Sequence, residues 1–203
     1  MNGVDPTSFF PSQDQGDIPQ LGPVRFVFVG RPMPQKGFVD IIGACKLLAR
    51  RFDFLIIVCG DGGFIREYRA EIERSGLRSL FRFQGFLGAV AGQLRASDAQ
   101  LMPSLWEACG IAAMEALIAG CPLIASNCIG LREVVAGSPA LVVPPGSPEA
   151  LASAMERVIL ERHALRAAAL AYAPIASERF DVRHTSQALG RLLAEVAGRS
   201  RGD

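Results

Sequence analysis

Two glutamates, Glu107 and Glu115, stand eight positions apart on either side of Gly110. Gly110 lies near the N-terminus of a predicted helix, where free backbone N–H groups and the helix dipole favour a bound phosphate. Eight residues correspond to about 800° of helical rotation, so both carboxylates can flank one end of a cleft and accept hydrogen bonds from sugar hydroxyls. The structural alternative is that Glu115 pairs with a nearby arginine and Glu107 is solvated. No lysine or arginine lies within four positions of either glutamate to make such pairing easy.

A cationic segment rich in glycine and proline occupies residues 30–37. Its glycines let the backbone approach a ligand, while Arg31 and Lys36 provide a guanidinium fork and a point charge that suit phosphate oxygens. We interpret the segment as a diphosphate-binding loop, and solvated loop charges explain the spacing equally well. The glycine-rich residues 60–63 favour a plain tight turn over a phosphate contact, because they lack the full dinucleotide fingerprint.

Short apolar runs alternate along the chain with segments of helical periodicity. We predict strands at residues 24–29, 54–59, 81–84, 99–102, 122–125 and 141–143. We predict helices at residues 38–51, up to Ser75, at 111–119, at 148–160 behind an N-cap at Ser147, and near 164–172 and 182–196. Parallel strands need crossover connections, so the pattern predicts an α/β fold with a Rossmann-like, doubly wound parallel sheet of about six strands. Such sheets bind ligands at the carboxyl ends of their strands, where both candidate segments lie.

The composition is that of a globular chain and excludes several classes of function. The 203 residues suit one compact domain, and 21 Lys and Arg against 20 Asp and Glu give no global field for nucleic acid or an anionic membrane. The five cysteines include no C-x-x-C pair and lie far from the two histidines, which argues against a disulfide framework and a metal site. Without a signal peptide or a transmembrane run, we expect a cytoplasmic location.

We divide the chain into a linker or lead-in at residues 1–23, a Rossmann-like domain at 24–180, and a C-terminal helix with a frayed tail at 181–203. The lead-in is rich in Pro, Gly, Asp, Gln and Ser, which is typical of a linker. One stripe of the final helix is apolar, and we expect it to lie against another domain or to drive self-association. The residues on or near this stripe are Val182, Leu189, Leu192, Leu193 and Val196.

An ordered set of motifs runs through the chain from about residue 2 to residue 196. The motifs are Gly30-Arg31, Lys36-Gly37, Gly60-Asp61-Gly62, Pro103-Ser104, Glu107-x7-Glu115-Ala116, Gly120-x-Pro122, Gly130-x-x-Glu133 and Val143-Pro144-Pro145-Gly146. In this order they resemble the family 4 retaining glycosyltransferases of the GT-B fold, the glycosyl transferases group 1. Any one motif is weak, but the ordered set is specific, and the chain is similar to the C-terminal, donor-binding half of these enzymes.

The resemblance implies a role for each matched position. Arg31 and Lys36 would hold the donor diphosphate, and Glu107, which would meet the sugar hydroxyls, completes the implied catalytic set. Glu115 would meet the ribose, and Leu87, after the third strand, would lie against the base. The implied donor-binding residues are Gly30, Arg31, Lys36, Gly60, Asp61, Leu87, Glu107, Cys109, Gly110, Ile111 and Glu115.

The implied activity is transfer of a sugar from a nucleotide sugar to an acceptor that the sequence does not identify. The resemblance implies retention at the anomeric carbon and no metal or other cofactor. The base is open among UDP, GDP and ADP, with UDP slightly favoured. The family's acceptor-binding N-terminal half is missing from these 203 residues, so we expect the chain alone to be inactive or weakly hydrolytic. We expect its partner to be that half, in the same or another chain, through which it would reach the inner face of a membrane.

Two other functions fit the same residues. One is a non-catalytic nucleotide-sugar-binding or regulatory module of the same fold, although the intact Arg31, Lys36, Glu107 and Glu115 argue against decay of the site. The other is a nucleotide-sugar epimerase of the GT-B type, which fits these motifs less well than a transferase does.

Overall fold

The computed structural model describes residues 3–11 and 22–199 of the chain. Predictions for residues 1–2, 12–21 and 200–203, which include much of the lead-in and the polar tail, lie outside the described residues. The described strands are β1 (Val24–Val29), β2 (Phe54–Cys59), β3 (Phe81–Gly85), β4 (Ala99–Met102), β5 (Leu123–Ser126) and β6 (Leu141–Val143). The described α-helices are α1 (Phe38–Leu48), α2 (Ile65–Arg74), α3 (Ala91–Arg95), α4 (Ile111–Ile118), α5 (Arg132–Val135), α6 (Pro148–Arg179) and α7 (Val182–Arg199).

The six strands form one parallel sheet in the order β3-β2-β1-β4-β5-β6. This confirms the predicted doubly wound α/β fold. In chain order, β1 to β3 extend from the centre of the sheet to one edge. The chain then returns to the centre, where β4 pairs with β1, and β4 to β6 extend to the opposite edge. The loops after β1 and β4 therefore meet at the carboxyl edge, at the point where the strand order reverses. A doubly wound sheet binds its ligand at this point.

Each face of the sheet carries its own apolar core, because successive side chains of a strand point to opposite faces. On one face, Phe28 of β1 packs edge to face against Phe38 of α1, with ring centroids 5.1 Å apart. On the other face, Val27 of β1 and Met102 of β4 belong to one cluster with Met114 of α4. This second cluster packs α4 against β4 and β5.

The predicted division of this region into helices at residues 148–160 and about 164–172 is confirmed, because α6 consists of two helices that meet at a break, but the second helix extends seven residues beyond its predicted end. The backbone of α6 leaves helical geometry at Glu161 (φ −114°, ψ 19°) and then continues to Arg179. Pro174 lies inside the second part and removes one hydrogen bond of the helix. Burial of Ala173 and Ala176 on the neighbouring turns stabilises the helix beyond this proline.

An ion pair anchors the second part of α6 to the amino end of β4. Arg162, the residue after the break, lies 3.1 Å from a carboxylate oxygen of buried Asp98. One turn later, Arg166 donates to the carbonyl oxygens of residues 95 and 97. The break at Glu161 thus separates a part that packs beside α1 from a part that is tied to the base of the sheet.

The other differences from the predicted elements are small and have local causes. β1, β2, β4 and β6 agree with prediction to the residue, whereas β3 extends one residue further and β5 begins and ends one residue later. α1 ends three residues early. α3 and α5 were not predicted, because five and four residues are too few to show a helical period.

The described part of the predicted lead-in packs against the junction between α6 and α7. Val4 is buried, its backbone N–H donates to the carbonyl oxygen of Phe180 (2.8 Å), and its carbonyl oxygen accepts from the N–H of Val182 (3.1 Å). The apolar stripe of α7 is exposed at Leu189, Leu192 and Leu193. Among the described helices, none is long and apolar enough to cross a membrane.

Candidate functional site

The loops after β1 and β4 are held together by their backbones. Leu105 donates its backbone N–H to the carbonyl oxygen of Gln35 (2.8 Å), and Gln35 Nε2 donates to the carbonyl oxygen of Trp106 (3.1 Å). Gly37 has a left-handed backbone (φ 65°), and a Cβ there would lie 2.0 Å from the carbonyl oxygen of Pro103. Only glycine allows both this conformation and this approach, so Gly37 brings the cationic segment onto the glutamate segment.

An ion pair joins Lys36 and Glu107 across this contact. Lys36 Nζ lies 2.7 Å from Oε1 and 2.8 Å from Oε2 of Glu107. Ser104 Oγ also donates to Oε1 (2.6 Å), and Glu107 is only 7% exposed. The interpretations of Lys36 as a solvated loop charge and of Glu107 as a solvated carboxylate are therefore wrong, because each satisfies the other.

Arg31 differs from Lys36 in having no partner. Its side chain is exposed, and within the described residues it makes no hydrogen bond or ion pair. A Cβ on Gly62 would lie 3.6 Å from Arg31 Cβ, and a Cβ on Gly60 would lie 1.9 Å from the carbonyl oxygen of Gly30. The loop after β2 therefore lies against the loop after β1 and leaves the guanidinium of Arg31 available to a ligand.

Asp61 closes the loop after β2 on itself. Its Oδ1 accepts the backbone N–H of Gly62 (2.8 Å), as in the plain tight turn that the sequence favoured. The N–H of Gly60 donates to the carbonyl oxygen of Gly85 at the end of β3 (2.7 Å). This bond places the segment that carries half-buried Leu87 next to the loop after β2, with the side chain of Phe86 exposed beside it.

The N-terminus of α4 faces the same edge. Gly110 caps the helix in a left-handed conformation (φ 64°), and the backbone N–H groups of Ile111 and Ala112 have no backbone acceptor in the described residues. The loop after β5 closes on this turn, because a Cβ on Gly130 would lie 2.0 Å from the carbonyl oxygen of Glu107. Two free N–H groups and the positive end of the helix dipole thus lie beside the Lys36–Glu107 pair.

Glu115 lies in the second turn of α4 and is half-buried. No described hydrogen bond or ion pair involves its carboxylate, so the expected alternative of pairing with an arginine is not found there. Burial alone raises the pKa of Glu115 to about 6. A half-buried carboxylate without a partner is unfavourable, and it is the arrangement expected of a group whose partner is a ligand.

Cys109 precedes the cap of α4 and is half-buried, whereas the other four cysteines are buried. It packs against the apolar cluster on the α4 face of the sheet. Within residues 3–11 and 22–199, no group of three or more His, Cys, Asp or Glu side chains is arranged to hold a metal ion.

Sequence reasoning missed three polar residues that support the site. Ser104 was seen only as part of a motif, but its hydroxyl orients Glu107, and its carbonyl oxygen accepts from Ser126 Oγ. Gln35 links the two loops from both its backbone and its side chain. Asp40 is buried in the first turn of α1, has one oxygen without a partner, and has its pKa raised chiefly by burial. Two of the three could have been found from the sequence. Ser104 lies two residues after a predicted strand, and Gln35 is adjacent to the candidate Lys36.

A scan of known families matches residues 12–174 to the model described as glycosyl transferases group 1. The chain is 32% identical over 188 residues to a 2-deoxystreptamine glucosyltransferase from Streptomyces kanamyceticus, covering 91% of this chain and 49% of the relative. It is 31% identical over 205 residues to a phosphatidyl-myo-inositol mannosyltransferase from Mycolicibacterium smegmatis, covering 97% of this chain and 51% of the relative. The chain therefore spans about half the length of these relatives.

The fold also matches that of solved structures, which superpose on most of this chain. The Anabaena protein Alr3699/HepE in complex with UDP superposes with a TM-score of 0.83 at 26% identity, over 95% of this chain and 56% of that one. The C-terminal domain of a group 1 glycosyl transferase from Francisella tularensis, LpcC, superposes with a TM-score of 0.74 at 22% identity, over 87% of this chain and 97% of that one.

The first prediction concerns the buried ion pair. Lys36→Met should lower the free energy of unfolding by about 1.5–3 kcal/mol, because it leaves the Glu107 carboxylate buried without its cation. The double variant Lys36→Met with Glu107→Gln should recover part of this loss, since no charge is left unpaired. Urea denaturation of the wild type, Lys36→Met, Glu107→Gln and the double variant gives the four free energies of unfolding of this double-mutant cycle. Lys46→Met, which breaks the exposed Lys46–Glu71 pair, is the control and should cost far less. Equal losses at Lys36 and Lys46 would contradict the role given to burial.

The second prediction concerns Glu115. Its folded pKa of about 6 lies above the ordinary 4.5, so the folded chain keeps a proton that the unfolded chain releases. This group therefore lowers the free energy of unfolding as pH rises from 4.5 to about 6, and the loss is complete at neutral pH. Glu115→Gln should raise the melting temperature of the ligand-free chain at neutral pH, and the gain should vanish below the window. Glu133→Gln, at an exposed glutamate, should show no such pH dependence.

Proposed function

This chain belongs to the group 1 glycosyl transferases, and on that premise we propose that it is the donor-binding half of a retaining, metal-independent glycosyltransferase. Such an enzyme transfers a sugar from a nucleotide sugar to an acceptor. The observation that carries the proposal is the presence of three features along the carboxyl edge, where the loops after β1 and β4 meet. These are the Lys36–Glu107 pair, the unpartnered Arg31, and the free N–H groups of α4.

The diphosphate of the donor binds between these three features. Arg31 has no partner among residues 3–11 and 22–199, so its guanidinium meets phosphate oxygens at little cost. Lys36 makes two contacts with Glu107. An ammonium group has three N–H donors, so one donor remains for a phosphate oxygen. The N–H groups of Ile111 and Ala112 complete the set and fix the position of the diphosphate along the edge.

The same groups act in the transfer step. As the bond from the anomeric carbon to the diphosphate breaks, negative charge develops on the leaving oxygens, and fixed cations and N–H groups stabilise it. Arg31 and Lys36 supply the positive charge that a metal ion supplies in other enzymes, which supports metal independence. Glu107 keeps its contacts with Lys36 and the hydroxyl of Ser104, and one of its about four acceptor sites is left for a sugar hydroxyl. Retention at the anomeric carbon rests on the resemblance to family 4.

The favoured nucleotide is UDP. The Anabaena protein, which shares 26% of its residues with this chain in the aligned part, was solved with UDP and with UDP-glucose. A ribose hydroxyl would satisfy the unpartnered carboxylate of Glu115, and the base would extend toward Leu87, two residues beyond β3. GDP and ADP are the competing nucleotides.

A second half, N-terminal according to the resemblance to family 4, would supply the acceptor site. The relatives are about twice as long as this chain, and the free carboxyl edge is the surface that a second domain would face. The exposed leucines of α7 would lie against that half, and self-association through α7 is the competing use of the same face. In this arrangement the enzyme works on the cytoplasmic side, and any membrane contact comes through the second half.

The third prediction tests the donor site by calorimetric titration with UDP, GDP and ADP. We expect selective binding of UDP, weakened by Arg31→Gln by about 1.5–3 kcal/mol because a charge-assisted phosphate contact is lost. The melting temperature should not change, since Arg31 makes no hydrogen bond or ion pair with the residues that the structure describes. Arg50→Gln, at an exposed arginine beyond α1, is the matched control and should leave UDP affinity unchanged.

Alkylation of Cys109 gives an independent measure of the same binding event. Because the other four thiols are buried, a thiol reagent should label Cys109 first in the folded chain. Saturating UDP should slow this labelling by covering the loop before α4. Rapid labelling in saturating UDP would place the nucleotide elsewhere.

The fourth prediction separates an enzyme half from a binding module. A chimera that joins this chain to the N-terminal half of the Streptomyces kanamyceticus relative should transfer a sugar from the nucleotide sugar selected by calorimetry. Arg31→Gln in the chimera should lower the rate on the order of 100-fold, because one stabilising contact of the leaving group is lost. A chimera that unfolds cooperatively and binds UDP, yet gives neither transfer nor donor hydrolysis, would favour the non-catalytic module.

A further inference from the structure

Trp106 lies directly beside the buried ion pair but is itself in solvent. It is the single tryptophan of the chain, and its side chain is 55% exposed, whereas that of the next residue, Glu107, is 7% exposed. Its indole N–H donates to no group in the described part of the chain. A large aromatic ring without a partner, next to the candidate catalytic carboxylate, needs a physical explanation.

The backbone around Trp106 is fixed on both sides. Gln35 Nε2 donates to the carbonyl oxygen of Trp106, and the N–H of Leu105 donates to the carbonyl oxygen of Gln35. On the other side, the N–H of Glu107 donates to the carbonyl oxygen of Ile129 (3.0 Å). The indole is therefore carried by a rigid segment, and a ligand that stacks on it does not have to order a loop first.

Two further exposed apolar residues belong to the segments that are joined at this position. Leu105 is 46% exposed and Ile129 is 74% exposed, and both belong to the segments that hold Trp106 and Glu107. An apolar rim around a charged, buried centre suits a ligand with an apolar face and polar edges. A six-membered sugar or cyclitol ring has this character, with C–H bonds on its faces and hydroxyl or amino groups around its edge.

We infer that Trp106 is the stacking platform for a six-membered carbohydrate or cyclitol ring at the mouth of the donor site, an inference that rests on the proposed function. The face of the indole carries negative potential and attracts the polarised C–H bonds of the ring. The hydroxyl edge of the ring then reaches Glu107, which lies one residue away. An amino group on the ring adds attraction, because a cation over an indole face is stabilised.

The ring has two possible sources, the sugar of the donor and the acceptor itself. Both have the same chemistry, and the order of addition distinguishes them. The emission of Trp106 is observed without interference because the chain has no other tryptophan. The probes are the nucleotide that calorimetry selects, its glucose, galactose, mannose and N-acetylglucosamine derivatives, and 2-deoxystreptamine added in the presence of that nucleotide.

If the donor sugar stacks, the nucleotide sugar should change the emission of Trp106 where the free nucleotide does not. If the acceptor stacks, 2-deoxystreptamine should change it only when the nucleotide is already bound. Either result supports the inference. Nucleotide sugars that bind by calorimetry and, like the aminocyclitol, leave the emission unchanged would overturn it. Failure of every nucleotide to bind would instead sink the proposed function, so the two failures are distinguishable.

Variants test stacking against a general apolar contact. Trp106→Leu should weaken binding of the stacking ligand between about threefold and tenfold and leave affinity for the free nucleotide unchanged. Trp106→Phe keeps an aromatic face and should lose less. Ile129→Ala, which removes an exposed apolar side chain of the same rim but no aromatic ring, should weaken binding less than Trp106→Leu does. Equal losses in Trp106→Leu and Ile129→Ala, or an equal loss for the free nucleotide, would show an apolar or structural contact and overturn the platform.

Discussion

The contact between Lys36 and Glu107 is the constraint on which the site depends. It joins the loops after the two central strands, and these loops come from halves of the sheet that are built in opposite directions. A buried carboxylate without a cation is costly, so each loop must lie where the other can satisfy it. Once this contact is made, the positions of Ser104 and Trp106, and the entry into α4, follow from short segments of chain attached to it.

Glycine makes that contact possible. At Gly37, Gly60 and Gly130, a Cβ would lie about 2 Å from a carbonyl oxygen of the neighbouring loop, a distance no side chain tolerates. The loops can therefore lie directly on one another, backbone against backbone. The result is a carboxyl edge on which charges and N–H groups are concentrated within one continuous surface, without long side chains to span gaps between loops.

The fold could be predicted closely and the site only in part, because strands leave a local pattern in the sequence and contacts between distant residues do not. Parallel strands buried on both faces appear as continuous apolar runs, so the bounds of β1, β2, β4 and β6 are visible in the sequence. The partner of Glu107 is not visible, because Lys36 lies 71 positions away and a search of neighbouring positions finds no cation. Arg31 and Lys36 look alike in the sequence, and only the fold decides that one is paired and the other free. The extension of α6 to Arg179 also depended on packing that the local pattern does not show, the burial of Ala173 and Ala176.

The pairing of Lys36 and Glu107 has an evolutionary consequence. Neither residue can change alone without leaving a buried, uncompensated group, so drift at either position is opposed by stability even in a lineage that no longer uses the site. Arg31 is under no such restraint, since its loss costs the folded chain nothing. A relative that has abandoned its chemistry should therefore keep the lysine and the glutamate and lose the arginine first. For inferring activity in such a relative, the exposed arginine is the more informative residue.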